Sequence, residues 1–427
     1  MNSIFVERVK MSKVITYGTF DLLHHGHINL LKRAKELGDY LIVGVTSEDF
    51  DKARGKINVQ QSLMERMEAV RALGLADEII VEEYVGQKID DIKRYDIDIF
   101  TVGSDWVGEF DYLNEYCTVV YLPRTEGVSS SNIRAEIKNL EIALIGKSAL
   151  YKKFAKECAY VNGVSTTDNY GDASAVYIVS MPNEHYADVK KALLDGKNVI
   201  CESPISTVKS QAEELFKLAK EKELVLMEGL KPAYSTAYAR LLLLIKSGAI
   251  GEVVSVDATC TNIRDKNLQI GEIEGRWNSI CAWGPTALLP IFQILGTEYV
   301  DKHIMSRYVD AECRFDGFTK IDFEYPNAVA SIKVAKTAKS EGSLVISGTK
   351  GYVYVPAPWW KTDYFEIRYE NAEDNKRYFY QLEGEGIRYE IVAFSKMIAT
   401  KKNYSYISEN VSLAIAKEIE DVQNRTN

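Results

Sequence analysis

From Lys13 onward, short apolar stretches alternate with amphipathic ones of helical period. The run VITY precedes a helical stretch from Ile28 to Leu37; YLIVGVT precedes a helix from Ser62 to Leu73; EIIV precedes one near Gln87 to Arg94. DIFTVG, TVVYL and a helix from Ser129 to about Lys138 complete the series. Apolar strands interleaved with helices predict a parallel sheet covered on both faces. At Glu141 the alternation restarts with IALIG and runs through AVYIVSMP, NVICESP and LVLMEGL. After about Val256 its character changes: VASIKVAKTA, SLVISGT and YFEIRYE are long strand-like segments with few helices between them until the end of the chain. The pattern predicts an α/β domain over residues 11–140, a second α/β lobe over 141–256, and an α+β lobe on a mostly antiparallel sheet over 257–427.

Composition narrows the partners. A chain of 427 residues exceeds one ordinary core, and 46% hydrophobic with 26% charged residues describes a globular protein. A formal charge of -9 argues against a nucleic-acid partner but leaves small anionic substrates possible through local basic clusters. The six cysteines, at 117, 158, 201, 260, 281 and 313, form no CxxC pair and read as free thiols, which suits a reducing cytoplasm. MNSIFVERVK lacks the apolar core of a signal peptide, and Leu241 to Ile245 is too short to span a bilayer, so no membrane insertion is expected. The residues before Met11 read as a loose extension.

Of five histidines, three fall within four residues, His24, His25 and His27, in TYGTFDLLHHGH. The segment leaves the first predicted strand at Tyr17, turns through Gly18 and enters a helix close to His27. It therefore lies at the carboxyl end of a parallel strand, the edge where open α/β sheets bind ligands. Gly26 lets phosphate oxygens approach the backbone, and the amides of a helix N-terminus favour an anion. His24 and His27 can donate hydrogen bonds to phosphate oxygens and stabilise charge on a five-coordinate phosphorus, with no covalent nucleophile. Two other readings stay open: histidines of no special role, and a zinc pair. No HExxH glutamate or suitably spaced cysteine completes a zinc set, and the nearby Gly26 and Thr19 favour the phosphate reading.

YGTFDLLHHGHINLLKRAKELGDYLIVGV, VGSDW and VVYLPRTEGVSSSNIR, in that order, resemble the glycerol-3-phosphate cytidylyltransferases of the HxGH nucleotidyltransferase superfamily, over about Met11 to Lys138. The resemblance implies a Rossmann-like domain. It also implies a reaction in which a phosphate oxygen of an alcohol phosphate, glycerol phosphate being favoured, attacks the α-phosphorus of CTP in line and releases pyrophosphate. By the same resemblance the catalytic groups are His24, His27, Lys56 and Arg124. Thr19, Phe20, His24, His25, Gly26, His27, Lys56, Asp105, Trp106, Arg124, Thr125, Ser129 and Ser130 would surround CTP. Arg54 and Lys88 would bind the acceptor's phosphate, with Asp21, Arg66 and Asp77 in support. The chain departs from the family at Arg54, where a planar fork replaces the point charge of lysine, and by one extra residue between Phe50 and Arg66. Read alone, Arg54, Lys56 and Lys88 are solvated charges and Asp77 a strand-turn cap. Mg2+ is the expected cofactor, carried by the CTP phosphates.

Residues from about Glu141 to Asn427 resemble the Gfo/Idh/MocA family of NAD(P)-dependent oxidoreductases, on AVYIVSMPNEHYADVKKALLDGKNVICESP, LMEGLKPAYSTAYARLLLLIKSGAIGEVVSV and SLAIAKEIEDV. The resemblance implies a Rossmann lobe followed by an α+β lobe, but parts needed for hydride transfer are missing. IGKSALYKKF keeps only Gly146 of the pyrophosphate turn. About thirty residues separate Ile145 from Ala175, so a βα unit and the acidic ribose-binding residue are expected to be gone. Ser203 replaces the lysine of the family's EKP, and Ala282 and Thr286 stand where an Asp and a His are normal. His185 follows the PN turn and reads as a helix-start packing residue. NAD(P) is therefore expected to be absent, and the second half to be a truncated, degenerate module for dimerisation, regulation or substrate binding, the chain pairing as a homodimer through the open face of its C-terminal sheet. The alternative is a bifunctional enzyme whose dehydrogenase half acts on the polyol or its phosphate. The expected partners are CTP and a small alcohol phosphate, in the service of a cell-surface polymer such as teichoic acid or capsule.

Overall fold

The computed structural model describes residues 11–427 apart from 48–49, 52–58, 60, 85, 124–139, 147–148, 162, 264–276, 311, 313, 381–383, 402 and 426–427. The chain divides into two compact units, residues 1–137 and 138–427.

In the first unit β1 (Lys13–Gly18), β2 (Tyr40–Thr46), β3 (Glu78–Glu82), β4 (Ile99–Gly103) and β5 (Thr118–Leu122) form one sheet in the order β3-β2-β1-β4-β5. Every pairing is parallel. The apolar β2 is buried from Leu41 to Thr46, as a central strand covered on both faces must be. Ile15, Ile42, Phe100 and Val102 make the core with Ile92 of a covering helix. The strand order reverses between β1 and β4, which opens a crevice at their carboxyl ends. The connecting helices include α1 (His25–Lys35), α2 (Leu63–Ala72) and α3 (Gln87–Tyr95). α1 starts three residues before the expected Ile28 because His24 is its N-cap: the imidazole Nδ1 accepts the Gly26 N–H at 3.1 Å. α2 is fixed by a reciprocal capping box between Ser62 and Glu65. The helix predicted from Ser129 to Lys138 lies outside the described residues.

The packing of Tyr17 depends on a glycine opposite it. Gly44 pairs with Tyr17 across β2 and β1, and a Cβ there would sit 2.2 Å from the Tyr17 ring. Only glycine lets that ring lie across the sheet.

The second unit holds two sheets. β6 (Leu140–Ile145), β7 (Val164–Thr167), β8 (Ala175–Ile178), β9 (Asn198–Glu202) and β10 (Leu226–Gly229) are all parallel, in the order β10-β9-β8-β6-β7. Between β6 and β8 the chain makes α4 (Ala149–Cys158) and the single strand β7, all that so short a segment can hold. One face of this sheet buries Val176, Ile178, Val199 and Cys201 against α5 (His185–Leu194), α6 (Lys209–Glu221) and Ala416 near the end of the chain. The later sheet has eight strands, β11 (Val253–Thr261), β12 (Asp301–Asp310), β13 (Phe315–Glu324), β14 (Val329–Ala335), β15 (Leu344–Gly348), β16 (Gly351–Val355), β17 (Tyr364–Tyr369) and β18 (Lys376–Phe379). Among the described residues only β11 and β14 pair in parallel, so the sheet is mostly antiparallel, as the pattern predicts. The buried α7 (Thr236–Lys246) precedes it, and α8 (Ser279–Leu295) packs on its inner face. α9 (Ile387–Thr400) and α10 (Glu409–Asn424) close the chain.

Candidate active site

The turn after β1 is held in a conformation the backbone does not favour. Phe20 and Leu22 have φ of 52° and 49°, in the left-handed region that non-glycine residues avoid at about 1–3 kcal/mol each. Surrounding bonds hold it there. Asp21, buried, accepts the Gln61 N–H at 2.9 Å, and Gln61 Oε1 accepts the Leu22 N–H at 2.5 Å. Thr19 donates its hydroxyl to Asp51 at 2.7 Å. Arg66, 0% exposed, reaches Thr19 O and Thr46 O at 2.7 Å each, Gln61 O at 3.1 Å and the Asp51 carboxylate at 3.5 Å. A planar five-donor fork is the one side chain able to collect so many acceptors in one place.

This scaffold presents two histidines and withholds the third. The His24 and His27 rings stack 3.9 Å apart with 19° between their planes, and the edge of Phe20 supports His27 at 5.6 Å. His25 is exposed. Burial lowers the His24 imidazole below its ordinary pKa, against the opposing pull of Asp21, so at pH 7 it is neutral. Because its Nδ1 accepts from Gly26, the proton of the neutral ring resides on Nε2, the nitrogen left to donate. A stacked pair of imidazoles at the start of α1, on the sheet edge where strand order reverses, suits phosphate oxygens.

Next to it lies a cavity of about 50 Å³ lined by Tyr17, Thr19, Glu82, Lys88, Trp106 and Phe110 among others, from strand ends, the start of α3 and the loop after β4. Lys88 is ion-paired to the buried Glu82, which also accepts the Thr46 hydroxyl at 2.8 Å. Tyr17 donates its phenol to Asp91 at 2.8 Å; burial and that carboxylate hold the phenol protonated far above its ordinary range. Trp106, in the single turn Ser104–Trp106 with Asp105, packs against Phe110 at 5.9 Å.

The structure thus gathers Thr19, Phe20, Asp21, Gly26, His24, His27 and Arg66 at one turn and Lys88 and Trp106 beside it. Asp77 is elsewhere. It accepts the Leu41 N–H at 2.7 Å and Lys35 at 2.5 Å at the opposite, amino-terminal end of β2, where it ties sheet to helix. Arg54, Lys56, Arg124, Thr125, Ser129 and Ser130 lie outside the described residues. Sequence reasoning missed Asp51, Gln61 and Glu82; Glu82, the last residue of β3, stands at the same edge as Tyr17 and Thr46, and that position was its signal. Among the described residues no group of three or more His, Cys, Asp or Glu side chains is arranged to hold a metal ion.

In the second unit the residues questioned by sequence are turned inward. Gly146 follows β6 with φ of 107°, and a Cβ there would sit 2.5 Å from the Ser180 N. The Ser203 hydroxyl donates to Glu228, itself buried. His185 begins α5 with its ring nitrogens 2.7 Å from Pro204 O and 3.1 Å from Ser180 O, and is 1% exposed. That is a packing position. Ala282 and Thr286 lie on α8 and carry no ionisable group. Instead a buried acidic cluster stands at the strand ends: Glu202 accepts the Tyr177 phenol at 2.5 Å, and burial, partly offset by Tyr177 and Lys231, pushes its carboxyl up to about 7.

A parallel sheet whose switch-point turn offers stacked histidines to phosphate has the form of a nucleotide-handling transferase, and comparison with known proteins agrees. Residues 15–168 match the Cytidylyltransferase-like family. A glycerol-3-phosphate cytidylyltransferase of Bacillus subtilis is 49% identical over 130 residues, 30% of this chain and 100% of that protein. One from Staphylococcus aureus is 46% identical over 127 residues, 30% of this chain and 96% of that protein. The chain belongs to the cytidylyltransferase family, and its first unit is a CTP-dependent cytidylyltransferase. Residues 138–230 match the oxidoreductase family with an NAD-binding Rossmann fold. A solved 3-ketoreductase from Actinomadura kijaniata superposes with a TM-score of 0.58 at 16% identity, over 67% of this chain and 98% of that one. An Agrobacterium radiobacter oxidoreductase superposes with 0.54 at 16%, over 66% and 95%. At such identity the likeness shows the fold alone. No helix among the described residues is long and apolar enough to cross a membrane.

Proposed function

We propose that this protein forms CDP-glycerol and pyrophosphate from CTP and glycerol phosphate. The observation that carries the reading is the 49% identity that spans the whole length of a glycerol-3-phosphate cytidylyltransferase, together with the stacked His24 and His27 at the strand-end turn. His24 Nε2–H and His27 donate to phosphate oxygens and stabilise the charge that grows on the α-phosphorus as the acceptor's phosphate oxygen attacks in line and pyrophosphate departs. Arg66, Asp51 and Gln61 hold the turn so that these donors are in place before substrate arrives. Lys56, Arg124, Thr125, Ser129 and Ser130 grip the triphosphate, and Arg54 and Lys88 meet the acceptor phosphate. The triphosphate would carry Mg2+, whose charge would ease the departure of pyrophosphate; the carboxylate of the turn, Asp21, accepts the Gln61 N–H. The product feeds a cell-surface polymer such as teichoic acid, and the reaction runs in the cytoplasm.

The second unit we read as a non-catalytic module. Supporting this are Ser203 bonded inward to Glu228, Ala282 and Thr286 without an acid or base group, and His185 locked between two carbonyls. Its role is pairing of two copies through the face of the eight-stranded sheet opposite α8, where Met305 and Lys320 lie side by side. The test is pyrophosphate release from CTP and Mg2+ with glycerol, ethanolamine and choline phosphates, with NAD(P)H absorbance followed in parallel against ketose phosphates. Glycerol-phosphate-dependent release and a flat NAD(P)H trace support the reading. NAD(P)H oxidation would instead establish the bifunctional enzyme.

A further inference from the structure

Lys88 has features that binding an acceptor phosphate does not require. Its side chain is only 12% exposed, and its ammonium lies 4.7 Å from the centre of the Tyr17 ring and 5.3 Å from that of Phe110 while pairing with Glu82. Aromatic faces and a carboxylate gathered round one cation form the kind of cage in which proteins hold ligand ammonium groups. In this chain the cage already contains a cation, and the chain itself supplies it. The placement is built in: Gly44 lets Tyr17 lie across β2, Asp91 holds the Tyr17 phenol, and Thr46 steadies Glu82. The cavity beside the cage opens at the same strand-end edge as Thr19.

We propose that Lys88, anchored by Glu82, is a specificity-determining residue that fills an aromatic and acidic cage with the protein's own cation, so that the site rejects ammonium-bearing alcohol phosphates and accepts uncharged polyol phosphates. The proposal rests on the cytidylyltransferase reading above. A second cation brought to the cage meets like charge at close range in a partly desolvated place, and finds the ring faces and the carboxylate taken. A hydroxyl-bearing substituent meets no such conflict, because an ammonium–carboxylate pair offers it both a donor and an acceptor. An ammonium carries three N–H groups and the pair with Glu82 uses one, so the same lysine can also meet the acceptor's phosphate.

The test uses the full-length chain and compares kcat/KM for glycerol, ethanolamine and choline phosphates in wild type, Lys88→Met, Lys88→Arg and Glu82→Gln, by pyrophosphate release at saturating CTP. Removing the cation in Lys88→Met is expected to raise choline phosphate relative to glycerol phosphate by about tenfold or more, even as absolute rates fall, while Lys88→Arg keeps the wild-type preference. Glu82→Gln keeps the cation in the cage and removes only the carboxylate that neutralises it, so choline phosphate is expected to fall relative to glycerol phosphate, and this variant carries the test if Lys88→Met does not fold. If all three acceptors fall together in Lys88→Met and Glu82→Gln, so that the ratio is unmoved, Lys88 is a phosphate ligand only and the proposal is overturned. A wild type that uses choline phosphate as readily as glycerol phosphate overturns it as well. A wild type that releases no pyrophosphate with any acceptor overturns instead the reading on which it rests.

Discussion

Replacing Arg66 tests how the catalytic turn is held. Its guanidinium is fully buried and meets Thr19 O, Thr46 O, Gln61 O and Asp51. In Arg66→Met those acceptors lose their partner, and a buried carboxylate stripped of its cation costs about 3–5 kcal/mol. Each carbonyl bond to a charged donor accounts for roughly 1.5–3 kcal/mol taken singly, but they share one donor and do not add, so about 4 kcal/mol is the expected loss. Set against the roughly 5–15 kcal/mol of a whole domain, the first unit should be near its unfolding threshold. Arg66→Lys keeps the charge but cannot reach all the acceptors from one point, and should recover about half. Urea titration with hydrogen exchange resolved by peptide reads this locally: protection in β1 and β2 falls, with β8 and β9 as reference. In the folded lysine variant the left-handed Phe20 and Leu22 relax, so KM for CTP rises. A loss below about 1 kcal/mol, the size of an ordinary surface change, would refute the idea that Arg66 enforces the turn.

Other substitutions separate chemistry from support. His27→Ala removes a donor made for the transition state and should lower kcat by about 10²–10³ while a melting curve stays close to wild type; an unchanged kcat removes His27 from the chemistry. Asp77→Asn, at the far edge of the sheet, should leave KM for CTP and glycerol phosphate unchanged and cost about 1 kcal/mol or less, since its pair with Lys35 is one-third exposed; a large KM effect would show that it acts on the site. Glu202 binds its proton more tightly folded, near 7, than in the unfolded chain, where 4.5 is ordinary, so its contribution is fully present below pH 4.5 and is lost as pH rises through 7. The second unit should therefore be up to roughly 3 kcal/mol more stable at pH 5 than at pH 8 from this group, and Glu202→Gln should flatten that slope in chemical denaturation; an unaltered slope places the titration elsewhere.

The alternation of apolar runs was enough to read the parallel sheet of the first unit, because strands buried on both faces write themselves as continuous runs like YLIVGVT. The change to a mostly antiparallel sheet after Val256 was legible because long strand-like segments such as VASIKVAKTA and YFEIRYE follow one another with few helices between them, leaving little to make parallel crossovers. The apolar pattern places the start of α1 three residues late: a histidine is an unusual N-cap, and only the Nδ1 contact to Gly26 reveals it. His24 and His27 could be singled out by spacing, whereas Asp51, Gln61 and Glu82 could not. Their importance comes from contacts with Thr19, Leu22 and Lys88 at sequence separations of 32, 39 and 6 residues, and no periodicity encodes such pairs. Asp77 shows the converse, a residue that motif order grouped with the site and that the fold puts at the other end of β2.

The most direct test of the proposed reaction is phosphorus NMR of the full-length chain with CTP, Mg2+ and glycerol phosphate, run alongside His27→Ala. Pyrophosphate and a two-phosphorus diester should appear in equal amounts, only when the acceptor is present and only at a trace rate in the variant. Unchanged CTP, or its breakdown to CDP and inorganic phosphate with no diester, would contradict CDP-glycerol synthesis at this site.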